Sequence, residues 1–551
     1  MKVYLKYFSF FMALLLVIKC ANQQPPPGGP KDTEPPKILD VYPKNGTLNF
    51  NEDYFEITFS EYVDKLSLLD ALFISPEINN LEYDWTGTSV EITFDDTLEE
   101  NTTYTLSVGS SIKDLNNQNP MEEAVNISFS TGDKIDIGIF SGRVYDEDLT
   151  GTMIFAYHKS DSFANPLFEK AKKITQVGEN GEYQLLGLKN GEYRLFAVKD
   201  EGGNRIYNVG DDAYGVSSSL LNLNDSLIAI SGIDFKLTRD DTIPPYISNV
   251  IMTDQHHISV EYSELLDSSK LSSSNFYFFD STSQKRVDAK FVYQGNKNKY
   301  EYFISNKDTL NSEGDNYLIA EEVIDKFGNI MFYDSYQFVV NDKPDTVAPA
   351  IKSISTDYDE NMIDYLIPKF TLNFNDGIEL QQLEFALQLD QFDWEIYKIT
   401  DAVFEVVLLN ELEARQKIEF EINHNKISDA AGNSLDSVQT IELETLSGRE
   451  FTGLSGNVDI PEYLSNCVVV LNNLDIINLS YSARVTEDNE FNFERILPGE
   501  YTIHTFSDDD SSMHYNYGKV VPFELSEKFF IYPDTLNLRA RWPVGDILIR
   551  N

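Results

Sequence analysis

Two loops of this 551-residue chain carry oxygen-bearing side chains at alternate positions, "KDEGGNRIYNVGDD" from Lys199 and "SDDDSSMHYNYG" from Ser507. Asp200 with Asp508, Tyr207 with Tyr515, Asn208 with Asn516 and Gly210 with Gly518 keep one constant offset. Alternate oxygens in a tight loop can converge on a hard cation at about 2.3–2.6 Å, which is the first half of a calcium loop. In the second loop Asp508, Asp510 and Ser512 take positions one, three and five, the His514 carbonyl position seven and Asn516 position nine. In the first, Asp200, Asn204 and Asn208 take equivalent places and Gly202 stands where a ligand is missing. The bidentate glutamate of a full loop is replaced by Lys519 and Asp211. The expectation is Ca2+ at Asp508, Asp510, Ser512 and Asn516, and a weaker site at Asp200, Asn204 and Asn208; the alternative is an acidic solvated loop of Asx turns.

Other chemistries find less support. The six histidines, His158, His256, His257, His424, His504 and His514, show no zinc spacing, and the adjacent His256 and His257 would leave a strand on opposite faces. Glu61 and Glu264 follow strands in separate units, so a catalytic carboxylate pair is not expected; a hydrogen bond to turn amides is. No nucleophile elbow and no phosphate-binding glycine loop is present, and no enzyme is expected. "YDW" (83–85), "NFYFFD" (275–280) and "QFDWEIY" (391–397) could stack on sugars, although aromatics of a sheet usually pair across strands or fill the core, and Phe276–Phe279 could be buried on both faces.

The elements that must position these groups repeat. "DTEPPKI" at Asp32, "DTIPPYI" at Asp241 and "DTVAPAI" at Asp345 open units of about one hundred residues. Each opening runs into an alternating strand that ends in an acid: "FEITFSE", "ISVEYSE", "FTLNFND". Each unit closes on a turn, "SIKDLNNQNP", "VIDKFGNIMF" or "ISDAAGNSLD", and a last strand. Two further units match each other, with "NGEYQLLGLKNGEYRLFAVKD" at Asn180 and "DNEFNFERILPGEYTIHTFSD" at Asp488. Gly191 and Gly499 are placed for a positive φ in the turn between their strands.

Period-two strands with turn signals between them argue an all-β fold of tandem sandwiches. On Asp-x-x-x-Pro and Phe59-Ser60-Glu61, the first set resembles bacterial Ig-like domains of the surface-layer type. On Gly-Glu-Tyr and the preceding "SGRV" and "SGNV" strands, the second set resembles transthyretin-like, or carboxypeptidase-regulatory-like, sandwiches. The expected layout is Ig-like 35–133, regulatory-like 134–240, Ig-like 241–342, Ig-like 343–447 and regulatory-like 448–551, strung as a rod.

The chain begins with Lys2 and Lys6, a short apolar run to Ile18, and Cys20. That run is too short to span a bilayer, which takes about 20 residues. With Val17 at the third position before the cysteine, the segment resembles a bacterial lipoprotein signal, 1–19, and the resemblance implies acylation of Cys20. Residues 20–34, with "QQPPPGGP", read as the lipidated end of a tether stiffened by proline. The only other cysteine, Cys467, lies in an apolar run and reads as a buried small hydrophobe. With 90 acidic against 43 basic residues the net charge is -47, which repels nucleic acid and anionic lipid headgroups alike. The whole resembles Ig-like lipoproteins of Bacteroidota-type bacteria. It implies a lipid-anchored outer-membrane protein that is structural or adhesive, with an unknown protein or glycan partner; the alternative is a carbohydrate-binding accessory of nutrient uptake.

Overall fold

A computed structural model describes residues 32–550 apart from 162–163, 296, 359–360, 390, 461–465 and 478. The signal segment and Cys20 lie outside the described residues.

The fold is all-β, and the described residues form ten sheets that stack as five sandwiches in chain order. In the first, Tyr54–Phe59 lies between Ile38–Tyr42 and Ser89–Phe94, with Leu81–Thr86 at the edge. Alternation explains the arrangement. Phe55, Ile57 and Phe59 point inward with Val90 and Ile92, while Glu56 and Glu91 pair on the outer face. The opposite sheet, Leu72–Ser75, Thr103–Val108 and Val125–Ser130, closes the same core with Leu106 and Phe129. The third and fourth sandwiches repeat this first sheet, with the strands after the two later Asp-Thr openings, Ile247–Met252 and Ile351–Ser355, paired in the same order. Residues 410–416 lead into the strand Lys417–Asn423.

The second and fifth sandwiches share a different plan. Gly191–Lys199 and Gly499–Ser507 are the central strands of equivalent five-stranded sheets. Gly191 has φ +139°, and a Cβ there would meet the His158 ring at 2.1 Å, so only glycine fits. Val544–Arg550 closes the last sandwich, parallel to Thr452–Asp459. Cys467 is buried in its core, its thiol beside the Thr505 hydroxyl.

Among the described residues five cores fill the sandwiches, that of the fourth taking in Phe291 and Tyr293 of the third, and a sixth lies between sandwiches. Thr152–His158 and Gly191–Lys199 are buried on both faces. Their inner face fills the second sandwich, and Phe155, Tyr157, Phe196 and Val198 on the outer face meet Phe73 of the first sandwich and Val520 of the fifth. Asn165 Nδ2 donates to the Val520 carbonyl at 2.8 Å, and Ser526 Oγ donates to the Val216 carbonyl at 2.8 Å. This corrects the expectation of a rod: the fifth sandwich folds back onto the second, because a sheet apolar on both faces needs a partner on each. Phe276–Asp280 alternates, with Phe276 and Phe278 in the core and Tyr277 outside under Arg286, so it is not buried on both faces.

Candidate metal centres

Each Asp-Thr opening is fixed by three contacts that recur in the first, third and fourth sandwiches. First, the opening aspartate accepts the amide two residues on at one oxygen: Glu34 to Asp32 Oδ1 at 3.0 Å, Ile243 to Asp241 Oδ1 at 3.1 Å, Val347 to Asp345 Oδ1 at 3.0 Å. Second, a side chain at the end of the following strand accepts the amide after the proline: Lys37 to Ser60 at 2.9 Å, Tyr246 to Ser263 at 3.1 Å, Ala350 to Asn375 at 2.6 Å. Third, the turn asparagine donates to the opening carbonyl: Asn119 to Asp32 at 3.1 Å, Asn329 to Asp241 at 3.0 Å, Asn433 to Asp345 at 3.4 Å. The third copy, with Asn-Asp in place of Ser-Glu, is therefore chemically equivalent.

These contacts gather three carboxylates at each opening. Asp241, Glu264 and Asp325 offer oxygens within 4.8 Å of one another, as do Asp345, Asp376 and Asp429. Glu61 sits equivalently with Asp32 and Asp114, and burial together with their charges raises its pKa. Glu264 is raised by burial and by Asp241 and Asp325. The expectation for Glu61 and Glu264 is thereby corrected. The turn amides go to the turn aspartates: Asp114 accepts from Asn116, Gln118 and Asn119, and Asp325 from Phe327 and Asn329. A carboxylate already serving the turn leaves the glutamate to face the cluster.

The fourth sandwich adds an imidazole. His257, from the third sandwich, has Nδ1 3.0 Å from Asp254 Oδ1 and Nε2 3.0 Å from Asp376 Oδ2. Tyr293 donates to Asp376 Oδ1 at 3.0 Å. Burial works against the charged ring, but the bonds and charges of Asp254 and Asp376 outweigh it and raise His257 to about 10. His256 turns away, Nδ1 2.8 Å from the Asn306 carbonyl. The sequence reading took His257 as one of two strand histidines on opposite faces and Asp345 as a unit opening, and brought neither to a site; Asp254 three residues before the histidine was the available signal.

The two oxygen-rich loops place their groups differently. In the second, Asp508, Asp510 and Glu527 bring oxygens within 4.8 Å of one another. Ser512 Oγ instead donates to the His514 carbonyl at 3.0 Å, and Asn516 Oδ1 accepts the Gly518 amide at 2.9 Å. Arg484 meets Asp508 Oδ2 at 2.5 Å, which already balances that charge. In the first loop Asp200 accepts the amides of Asn204 and Arg205, and Asn204 and Asn208 bond each other at 3.2 Å. Both loops share a buried carboxylate that sequence reasoning missed. Asp212 accepts the amides of Glu201 and Asn208, as Glu527 accepts those of Asp509 and Asn516. The two carboxylates do not keep the offset of the loops, so alignment could not pair them.

Of the aromatic candidates, Trp85 stacks on Phe59 and has Lys65 over its ring, and Trp394 packs against the core of the fourth sandwich. Tyr397 is exposed. An open groove of about 820 Å³ runs along the second sandwich, lined by Asp146, Asp148, Glu179 and Arg205, with Phe73 of the first at its edge. Lys199 engages Asp148 there at 2.8 Å.

No curated protein matches the chain. Among solved structures it is similar to the N-terminal part of the bacterial S-layer protein SbsC, at 15% identity over 37% of this chain and 44% of that one, with a TM-score of 0.17. It is similar to domains 1–6 of SbsC at 11% identity, covering 91% of this chain and 67% of that one, TM-score 0.16. It is similar to the major pilin subunit of Bacillus cereus at 10% identity, covering 75% and 99%, TM-score 0.16. The chain thus spans less than half of the first of these. Residues 32–131, the first sandwich with its Asp-Thr opening, match the model of the family described as bacterial Ig-like domain.

Proposed function

We propose that the protein is an exported, lipid-anchored, non-catalytic scaffold of the cell envelope, with a structural or adhesive role toward a protein or glycan partner. The observation that carries this reading is the docking of the sandwiches to one another. Lys172 meets Glu99 at 2.9 Å and Arg205 meets Glu77 at 2.7 Å between the first and second. His257 joins the third to the fourth, and Arg495 meets Asp364 at 2.6 Å between the fourth and fifth. A chain that spends side chains on fixing its domains holds a spacing, which is what a scaffold needs. The Cys20 signal and the proline-rich tether support export and anchoring. At about 0.8 kcal/mol per buried CH2, two or more acyl chains hold an acidic protein firmly on an acidic membrane.

The test is metabolic labelling with a palmitate analogue, run on the wild type and on Cys20→Ala, with fractionation and protease shaving of intact cells. Labelling of the wild type alone, in the membrane fraction, supports the anchor. Equal labelling of both sinks it. Shaving assigns the face of the outer membrane.

A further inference from the structure

At the junction of the third and fourth sandwiches one carboxylate oxygen accepts no hydrogen bond among the described residues. The Asp345 side chain is 2% exposed. Its Oδ1 accepts the Val347 amide, while Oδ2 is buried and accepts no hydrogen bond. The nearest cationic atom is His257 Nδ1, at 3.8 Å, and the two ring nitrogens are already spent on Asp254 and Asp376. A buried carboxylate oxygen left bare is costly, and here it belongs to a group with Asp376 and Asp429, their oxygens within 4.8 Å of one another. Asp376 has a 5% exposed side chain and Asp429 is 1% exposed. Asp254, Asp345 and Asp376 face the one imidazole, and Asp429 lies beside Asp345 and Asp376.

We propose that Asp345, Asp376 and Asp429 hold one divalent cation of the calcium class, clamping the linker between the third and fourth sandwiches. The donors are all oxygens, which suits a hard cation. Oxygens that lie within 4.8 Å of one another can all reach one ion at about 2.4 Å. His257 is a positioning residue: it fixes Asp376 from outside the ion's ligand set, as Tyr293 does through its 3.0 Å bond. The equivalent group Asp241, Glu264 and Asp325 has no comparable bare oxygen among the described residues and is not included.

The experiment uses the full chain, stripped with a chelator and titrated with calcium chloride by calorimetry, and with terbium by tyrosine-sensitised emission. The wild type takes up calcium and melts at a higher temperature in calcium than in chelator. Asp345→Asn keeps an oxygen for the Val347 amide and replaces the bare one with an amide group. It loses one calcium equivalent and much of the terbium emission, and melts like the wild type in chelator. Tyr293→Phe keeps the calcium stoichiometry and lowers the emission, because the Tyr293 hydroxyl is bonded to the proposed ligand Asp376 and its ring is a sensitiser beside the site. Asp510→Asn, in the separate Asp508 loop, leaves this equivalent intact. No calcium uptake by the wild type, an unchanged stoichiometry in Asp345→Asn, or an unchanged emission in Tyr293→Phe overturns the proposal.

Discussion

His257 of the third sandwich and Asp376 of the fourth face each other at 3.0 Å, with the imidazole buried and its other nitrogen on Asp254. Removing one partner leaves a buried charge unpaired. His257→Ala therefore lowers stability by about 3 kcal/mol, and the double variant with Asp376→Asn loses less than the sum of the two single ones. Chemical denaturation of the four proteins measures this cycle; additivity within error would show that the pair is not coupled.

Val520 of the fifth sandwich is buried against Phe196 and Tyr214 of the second. Val520→Asp puts a charge into that contact and separates the two sandwiches without touching either inner core. Small-angle scattering should show a larger radius of gyration at unchanged circular dichroism. An unchanged radius would mean the covalent linkers alone hold the arrangement.

His504 reports the same contact through its proton. Burial lowers its pKa, and Lys236 of the second sandwich lowers it further, to about 4. Asn472 and the Phe506 ring are its other neighbours. The native pKa lies below the unfolded value of about 6.5, so the unfolded chain binds the extra proton between those values. Stability is present above about pH 6.5 and falls as the pH drops toward 4, by on the order of 3 kcal/mol. His504→Gln flattens this slope. Lys236→Met moves the His504 titration upward, read by NMR; no movement would place Lys236 away from the ring in solution.

Asp325 is fully buried and serves the amides of Phe327 and Asn329 at 2.8 Å each. Asp325→Ala strands these donors and costs about 2 kcal/mol. Glu264→Gln, by contrast, relieves repulsion and is neutral or stabilising. Melting curves of the two variants should move in opposite directions or differ clearly in size.

The strands were legible because "FEITF" and "VEITF" alternate, and the three openings because Asp-Thr and Pro recur with them. What they build together was not. Asp241, Glu264 and Asp325 each read as a local turn or strand end, and only strand register brings them to one point. The fold-back left a trace that went unused. "MIFAY" (153–157) and "LFAV" (195–198) are continuous apolar runs among alternating strands, the pattern of a sheet covered on both faces. Glu527 escaped because its loop partner Asp212 stands at a different offset, while spacing alone pointed to Asp508 and Asp510, which the fold sets beside it. Ser512 and Asn516 fit the spacing but turn to their own backbone.

The contact between the second and fifth sandwiches also changes how the molecule answers to a pull. In a string of beads, tension runs through every linker in series, and the weakest bead yields first. Here the second sandwich is joined to the fifth by buried side chains as well as by the chain through the third and fourth. A load entering at the second sandwich and leaving at the fifth divides between two parallel paths. The short path takes it first, and its rupture releases the length stored in the long one. The molecule is thus stiff under small loads and extensible under large ones.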